Sequence, residues 1–129
     1  MTIAAIIVGF LVIGKIASLQ RRGPDGSTHA IRMAYLESLG IRVEETAEQV
    51  KDIVIPETFS DVYEHYNRLQ RQAGFDLADY KGKEATVYTY RLLQNEGKTV
   101  TLIVCGGRVI GGDIADVAID GEMLPLMEK

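Results

Sequence analysis

The stretch of sequence that decides the fold is ATVYTYRLLQNEGKTVTLIVCGGRVIGGDIADVAI, residues 85–119. It predicts three strands, at 85–93, 98–105 and 108–119, because apolar and β-branched residues dominate between short polar or glycine turns. Gly106 and Gly107 suit a two-residue hairpin that needs positive φ angles. The segment KTVTLIVC is the most apolar of the three, so it is expected at the centre of an antiparallel meander.

A fourth strand and two helices are expected upstream of this meander. The strand, VKDIVI at 50–55, ends at Pro56, which cannot donate to a sheet ladder, so an edge position is favoured. One helix is predicted from a cap at Ser27 or Thr28 to about residue 39, and a second at 58–73, capped by Thr58. The second helix should bury an apolar stripe, which consists of Phe59, Val62, Tyr63, Tyr66, Leu69 and Ala73. These elements together predict an α+β fold. In this fold, two helices pack on a small antiparallel sheet that consists of the three-strand meander and the edge strand.

The N-terminal stretch MTIAAIIVGFLVIG, residues 1–14, has no charged side chain. It favours a membrane anchor helix at 1–20, followed by a linker at 21–28 and a small α+β domain at 29–129. A helix over residues 2–19 would span roughly 27 Å, against a hydrocarbon core of about 30 Å. A cleaved secretory signal and a buried helix of the domain are the alternatives. The membrane is thus an expected partner of residues 1–20.

Charge and cysteine content exclude several classes of protein. The 129 residues carry 14 Lys and Arg against 18 Asp and Glu, a net charge of −4, which argues against a general nucleic-acid binder. A single cysteine, Cys105, excludes an internal disulfide framework and any multi-cysteine zinc site. The two histidines, His29 and His65, lack the spacing of a metal or catalytic constellation. No catalytic residue, cofactor or metal is therefore predicted.

The residues favour a non-enzymatic domain that binds a protein, a peptide or an envelope component. The predicted edge strand at 50–55 could accept a strand from such a partner. The alternative is a small ligand-binding or enzymatic domain with a pocket between the helix at 58–73 and the sheet. The candidate ligand or partner residues are Tyr66, Tyr88, Arg108 and Asp113. The sequence leaves the oligomeric state open.

A series of short motifs resembles the bacterial family catalogued as domain of unknown function 4830. They are Tyr35–Gly40, Ile55–Pro56, Phe59, Val62–Tyr63, Tyr66–Asn67, Leu69–Gln70, Gly74–Leu77, Tyr80–Lys83, Tyr88–Tyr90, Gly107, Val109–Ile114 and Asp120–Gly121. The resemblance implies a small domain, often behind a single N-terminal membrane segment and outside the cytoplasm. It implies no activity, cofactor or catalytic residue. The basic residues Lys15, Arg21 and Arg22, which follow the apolar stretch, instead favour a cytoplasmic domain under the positive-inside rule.

Overall fold

The computed structural model describes residues 23–117 and 121–128, so the predicted apolar helix at 1–20 lies outside the described residues. Two α-helices, a short 3-10 helix and five strands make up this part of the chain. In chain order they are α1 (His29–Ser38), β1 (Gln49–Val54), α2 (Asp61–Gln72), the 3-10 helix Leu77–Tyr80, β2 (Glu84–Arg91), β3 (Lys98–Cys105), β4 (Arg108–Asp116) and β5 (Met123–Leu124). No helix within the described ranges combines the length and the apolarity needed to cross a bilayer.

The five strands form one antiparallel sheet in the order β1-β2-β3-β4-β5. The predicted meander and the edge position of β1 are confirmed, and β3 lies at the centre as expected. Gly106 and Gly107 have φ angles of 56° and 76°, as the predicted two-residue turn requires. The fifth strand was not predicted. It has only two residues and pairs with the end of β4.

A bulge lies in β4 immediately before the glycine pair at 111–112. Ile103 pairs with Gly111 and Val104 pairs with Val109, which leaves Ile110 as the additional residue. The regular pairing of β3 and β4 is therefore interrupted one residue before the glycines. The strand ends at Asp116 rather than at residue 119.

Alternating side chains of the sheet build two separate apolar clusters. One cluster joins Tyr90, Val100 and Leu102 to Leu36 of α1. The other joins Ala85 and Ile103 to the 3-10 helix and to tyrosines of α2, and its members are Ile53, Ile55, Phe59, Tyr63, Tyr66, Leu77, Tyr80, Ala85, Val87, Ile103, Cys105 and Ile110. Successive residues of a strand point to opposite faces, so α1 covers the first face and α2 the second.

The first helix begins and ends as predicted. The Thr28 side chain accepts a hydrogen bond from the amide of Ile31, which identifies Thr28 as the N-cap. Gly40 follows the helix with a φ of 76°, and the amide of Ile41 donates back to Leu36 O over 2.9 Å. A glycine in this left-handed conformation is a common way for a helix to end.

The second helix packs Tyr63 and Tyr66 of the predicted stripe into the second cluster, but it differs from the prediction in its start and at one position of its buried face. Ser60, not Thr58, caps it, because the Ser60 side chain accepts from the amide of Tyr63 and the helix begins at Asp61. Val62, predicted in the apolar stripe, is 79% exposed. Val62 is exposed because Asn67 and Gln70, which are both buried, occupy the face of α2 that packs on the sheet.

Residues 23–28, the described part of the predicted linker, pack against the β3–β4 hairpin. The amide of Gly26 donates to Gly107 O over 2.9 Å, and the amide of Val109 donates to Pro24 O over 2.8 Å. A Cβ on Gly26 would lie 2.8 Å from the Val109 side chain, so glycine permits this close approach. The segment therefore continues the folded domain up to the start of α1.

Candidate functional site

Two of the four candidate residues, Tyr66 of α2 and Asp113 of β4, meet on the second face of the sheet. The Tyr66 hydroxyl donates to Asp113 Oδ2 over 2.6 Å, and Asp113 is only 4% exposed. Burial raises the pKa of the Asp113 carboxyl, and the hydrogen bond from Tyr66 opposes this only in part. Burial also raises the pKa of Tyr66, with a further contribution from the negative charge of Asp113. The pair therefore links a neutral hydroxyl to a poorly solvated carboxylate.

Gln70 lies one helical turn after Tyr66 and connects α2 to the glycine pair of β4. Its Oε1 accepts a hydrogen bond of 2.8 Å from the amide of Gly112. A Cβ on Gly111 would lie 2.9 Å from the same oxygen, so glycine at this position lets the helix approach the strand. Gln70 Nε2 is buried and makes no hydrogen bond of good geometry. The Gln70 side chain lowers the pKa of Tyr66, and this is the smallest of the contributions to that pKa.

Asn67 forms the third polar connection of α2. Its Nδ2 donates to Asp76 Oδ1 over 2.8 Å, and its Oδ1 accepts from the amide of Leu77 over 2.7 Å. Partial burial raises the pKa of Asp76, but hydrogen bonds from Asn67 and from the amide of Ala78 outweigh it, and the net pKa is lowered. Both ends of the Asn67 amide are thus used to fix the 3-10 helix against α2.

Together Tyr66, Asn67, Gln70 and Asp113 form the α2 polar cluster. Sequence reasoning identified Tyr66 and Asp113 but missed the two amides. Asn67 follows Tyr63 by four residues and Gln70 follows Tyr66 by four, and this spacing is the signal that could have placed both amides on the buried face. Their partners are backbone groups and protein side chains, so the cluster fastens α2 to the sheet.

On the first face, a groove of about 650 Å³ lies beside α1 and over β1 and β2. Its sheet floor includes Asp52, Val54 and Thr86, and its walls include the start of α1 and the Gly106–Gly107 turn. The complete lining is Gly26, Ser27, Arg32, Asp52, Ile53, Val54, Glu84, Ala85, Thr86, Tyr88, Val104, Gly106 and Gly107. The groove contains one basic side chain and two acidic ones.

Arg32, in the first turn of α1, is the basic side chain of the groove and is only 8% exposed. Its Nη1 donates to Gly26 O over 2.9 Å, and its Nε donates to the Tyr90 hydroxyl over 3.3 Å. The guanidinium lies 3.9 Å from the ring centroid of Tyr88, a cation–π contact. Sequence reasoning missed Arg32, because a single arginine on a helix carries no motif.

The four sequence candidates therefore do not form one site. Tyr88 lies beneath Arg32 in the groove, on the face opposite to the Tyr66–Asp113 pair. Arg108 begins β4 and forms a backbone bridge with Asp25. The pKa of Asp25 is lowered chiefly by hydrogen bonds with Ser27, and the charge of Arg108 contributes least.

A second cavity, of about 350 Å³, lies at the carboxyl end of α2. Ala73, Gly74 and Phe75 line one side, and Val109 and Ile110 line another. None of the four sequence candidates lines it. Within the described ranges, no three His, Cys, Asp or Glu side chains come together as a metal site would require.

A family model described as Domain of unknown function (DUF4830) matches residues 35–114. The matched range contains β1, α2, β2, β3 and most of β4, together with the end of α1. No curated protein and no solved structure matches the chain.

Proposed function

Because the chain belongs to the DUF4830 family, whose description assigns no activity, we propose a function from its own surface. The domain binds an extended segment of a partner protein along the free edge of β1, and residues 1–20 hold it at a membrane. The observation that carries the binding proposal is the open edge of β1. Among the described strands, only β2 pairs with it.

Backbone geometry supports strand addition at this edge. The amide of Ile55 donates to Lys83 O, and the amide of Leu92 donates to Lys98 O. Backbone groups of an antiparallel strand turn alternately to one neighbour and to the other, so even-numbered residues of β2 bond to β3 and odd-numbered residues bond to β1. The N–H and C=O groups of the even-numbered residues of β1 therefore point to the open edge, at Val50, Asp52 and Val54.

The side chains of these same residues indicate which residues the partner should carry. Val50 and Val54 are 57% and 59% exposed and lie on either side of Asp52 on the first face. Asp52 and Glu84 both line the groove on that face. A cationic residue opposite Asp52, flanked two residues away by apolar side chains, would complement this edge. The partner is therefore an extended segment with a central Lys or Arg and an apolar residue two positions away on each side.

The charges of β1 also disfavour pairing between two copies of this edge. An antiparallel pair centred on Asp52 places that residue opposite its own copy, and a pair centred on Lys51 does the same for the lysine. Like charges that face each other across strands are destabilising. Charged residues on an edge are a common protection against self-association. The edge thus favours a different partner, one with a cationic residue opposite Asp52.

A designed peptide tests strand addition directly. The probe is Thr-Val-Thr-Lys-Thr-Val-Thr with blocked ends, titrated into the full-length chain and followed by amide NMR shifts. We expect saturable shifts along β1, and a peptide with Glu in place of Lys should bind about fivefold more weakly. Asp52→Lys should invert that preference, because the sign of the cross-strand pair is reversed.

A proline variant separates backbone pairing from side-chain contact. Val50→Pro removes an N–H that points to the open edge, so the ladder to β2 should survive while strand addition is blocked. Val50→Thr is the matched control, because it keeps the N–H and changes only the side chain. Peptide binding that survives the proline, or shifts confined to the second face, would contradict the proposal.

The membrane part of the proposal rests on the uncharged stretch at residues 1–14. We expect the full chain to remain in the membrane pellet after an alkaline carbonate wash, and a chain found in the supernatant with residues 1–20 intact would refute it. Cys105 is the single cysteine and is half-buried. An impermeant maleimide applied to intact cells can therefore report on which side the domain lies.

A further inference from the structure

We propose that the groove beside α1 binds a carboxylate group through Arg32. The carboxylate would belong to the segment that pairs with β1, either as an acidic side chain or as a free C-terminus. This part of the inference rests on the proposed strand addition. The binding of the carboxylate itself follows from the groove alone. Its test therefore uses a small anion that needs no strand pairing.

The first observation is a buried positive charge for which the described residues supply no negative partner. Among the described residues the ion pairs are Arg71–Asp76 and Arg91–Glu48, and neither involves Arg32. Its protein partners are a backbone carbonyl, a tyrosine hydroxyl and a tyrosine ring, none of which is charged. Taking an uncompensated charge out of water is costly, and a bound anion would offset that cost.

The second observation is that Arg32 lies in the first turn of α1. A helix N-terminus carries a partial positive charge, which acidic side chains normally balance. The first turn of α1 contains no acidic residue. The positive charge of the guanidinium and the partial positive charge of the helix N-terminus therefore lie close together, and both favour a bound anion.

The third observation is that the guanidinium has N–H groups that make no hydrogen bond to the described residues. Nε and Nη1 each make one hydrogen bond, and Nη2 makes none to a described residue. Arg32 lines the groove, and a planar carboxylate can accept two N–H bonds from one guanidinium.

The acidic residues of the groove narrow the class of anion. Asp52 and Glu84 also line it, so a dianion such as phosphate would meet two repulsive charges. A monoanionic carboxylate near a cationic or neutral group fits the mixed charge better. A peptide segment that presents a Lys to Asp52 and a carboxylate to Arg32 has this pattern.

Sodium acetate is the test probe, added to the full-length chain at constant ionic strength and followed at the Arg32 Nε–H signal by NMR. We expect a saturable shift that is lost in Arg32→Gln and weakened at least fivefold in Arg32→Lys, which keeps the charge but not the planar fork. Arg42→Gln is the matched control, because it removes an exposed positive charge elsewhere and should leave acetate binding unchanged. Equal binding by wild type and Arg32→Gln would overturn the inference.

A second variant keeps the inference falsifiable if Arg32 is needed for folding. The double variant Asp52→Asn, Glu84→Gln removes exposed charges and should tighten acetate binding roughly two- to tenfold, because two like charges are lost from the groove. Unchanged affinity in this variant would also overturn the inference. Val50→Pro should block peptide pairing but not acetate binding, so the two proposals fail separately.

Two peptides then distinguish the carriers of the carboxylate. One is amidated and carries an internal Glu, and the other has a free C-terminus and no Glu. The peptide whose affinity falls in Arg32→Gln identifies the source. If Arg32→Gln binds both peptides as tightly as wild type does, while wild type binds acetate through Arg32, the carboxylate does not come from the bound segment.

Discussion

Replacing Tyr66 by Phe is the sharpest test of how the second face is held together. The change removes one oxygen and keeps the ring in the apolar cluster of that face. The lost hydroxyl donates over 2.6 Å to Asp113, and among the described residues it is the hydrogen-bond donor to that carboxylate. The variant therefore leaves a buried carboxylate without its donor.

The expected cost follows from the burial of Asp113. A hydrogen bond to a charged group contributes about 1.5–3 kcal/mol, and an unpaired buried acceptor adds a desolvation penalty. At 4% exposure, Asp113 has little access to water as a replacement. We expect Tyr66→Phe to lower the free energy of unfolding by about 3 kcal/mol at pH 7. That is a large part of the stability of a small domain.

The cost should depend on pH with a definite sign. Burial raises the folded-state pKa of Asp113, so the folded state holds this proton more tightly than the unfolded state does. Stability from this group is fully present below its unfolded pKa of about 3.9 and is lost as pH rises through the folded pKa. At pH 4 more of the carboxyl is protonated in the folded state than at pH 7, and Tyr66→Phe should then cost less, about 1 kcal/mol.

Urea denaturation at the two pH values measures both effects, with Tyr63→Phe as the matched control. Tyr63 lies on the same helix, and no hydrogen bond to its hydroxyl is seen among the described residues. Its loss should cost less than about 1 kcal/mol at either pH. The Asp113→Asn background should remove most of the pH dependence, which completes a double-mutant cycle. A cost for Tyr66→Phe that is equal at both pH values would refute the account of a desolvated carboxylate.

Two further predictions concern the glycine pair and the sheet edge. Gly112→Ala should cost about 3 kcal/mol in urea denaturation, because its Cβ would overlap the backbone oxygen of Thr101 and lie 2.6 Å from Leu126 Cδ1. Gly40→Ala should cost only about 1 kcal/mol, because that Cβ meets open space and only the φ of 76° resists it; equal costs would contradict the steric argument. In hydrogen–deuterium exchange, the outward amides of β1 should exchange faster than the inward ones, and equal protection would mean that the edge is covered. The outward amides are those of Val50, Asp52 and Val54, and the inward ones those of Lys51 and Ile53.

The meander was predictable because its signals are local. A two-glycine turn, an apolar central strand and the proline after β1 each act within a few residues, and each is confirmed. The fifth strand lacks such a signal, since Met123 and Leu124 are held by pairing with β4 rather than by a pattern of their own. Sequence periodicity alone does not reveal a two-residue strand.

The buried face of α2 was predicted only in part, because hydropathy treats every amide as a surface group. Val62 fits an apolar stripe but is exposed, while Gln70 is fully buried. Gln70 can be buried because the amide of Gly112 satisfies its oxygen, and that amide lies 42 residues away in the chain. Long-range pairing of this kind is invisible to local pattern, and so is the position of Arg32 above Tyr88.

The groove is a consequence of covering a five-strand sheet with one helix. Strands lie about 4.8 Å apart, so five of them span roughly 19 Å between the outer axes, whereas a helix is about 10 Å wide. On the first face, α1 packs over the centre of the sheet, and Leu126 of the C-terminal segment packs against the β4 side. The described chain supplies no comparable cover over β1, where Val50 and Val54 remain exposed. In the proposed function a segment of a partner protein fills that gap, pairs with the open backbone of β1 and places a carboxylate at Arg32.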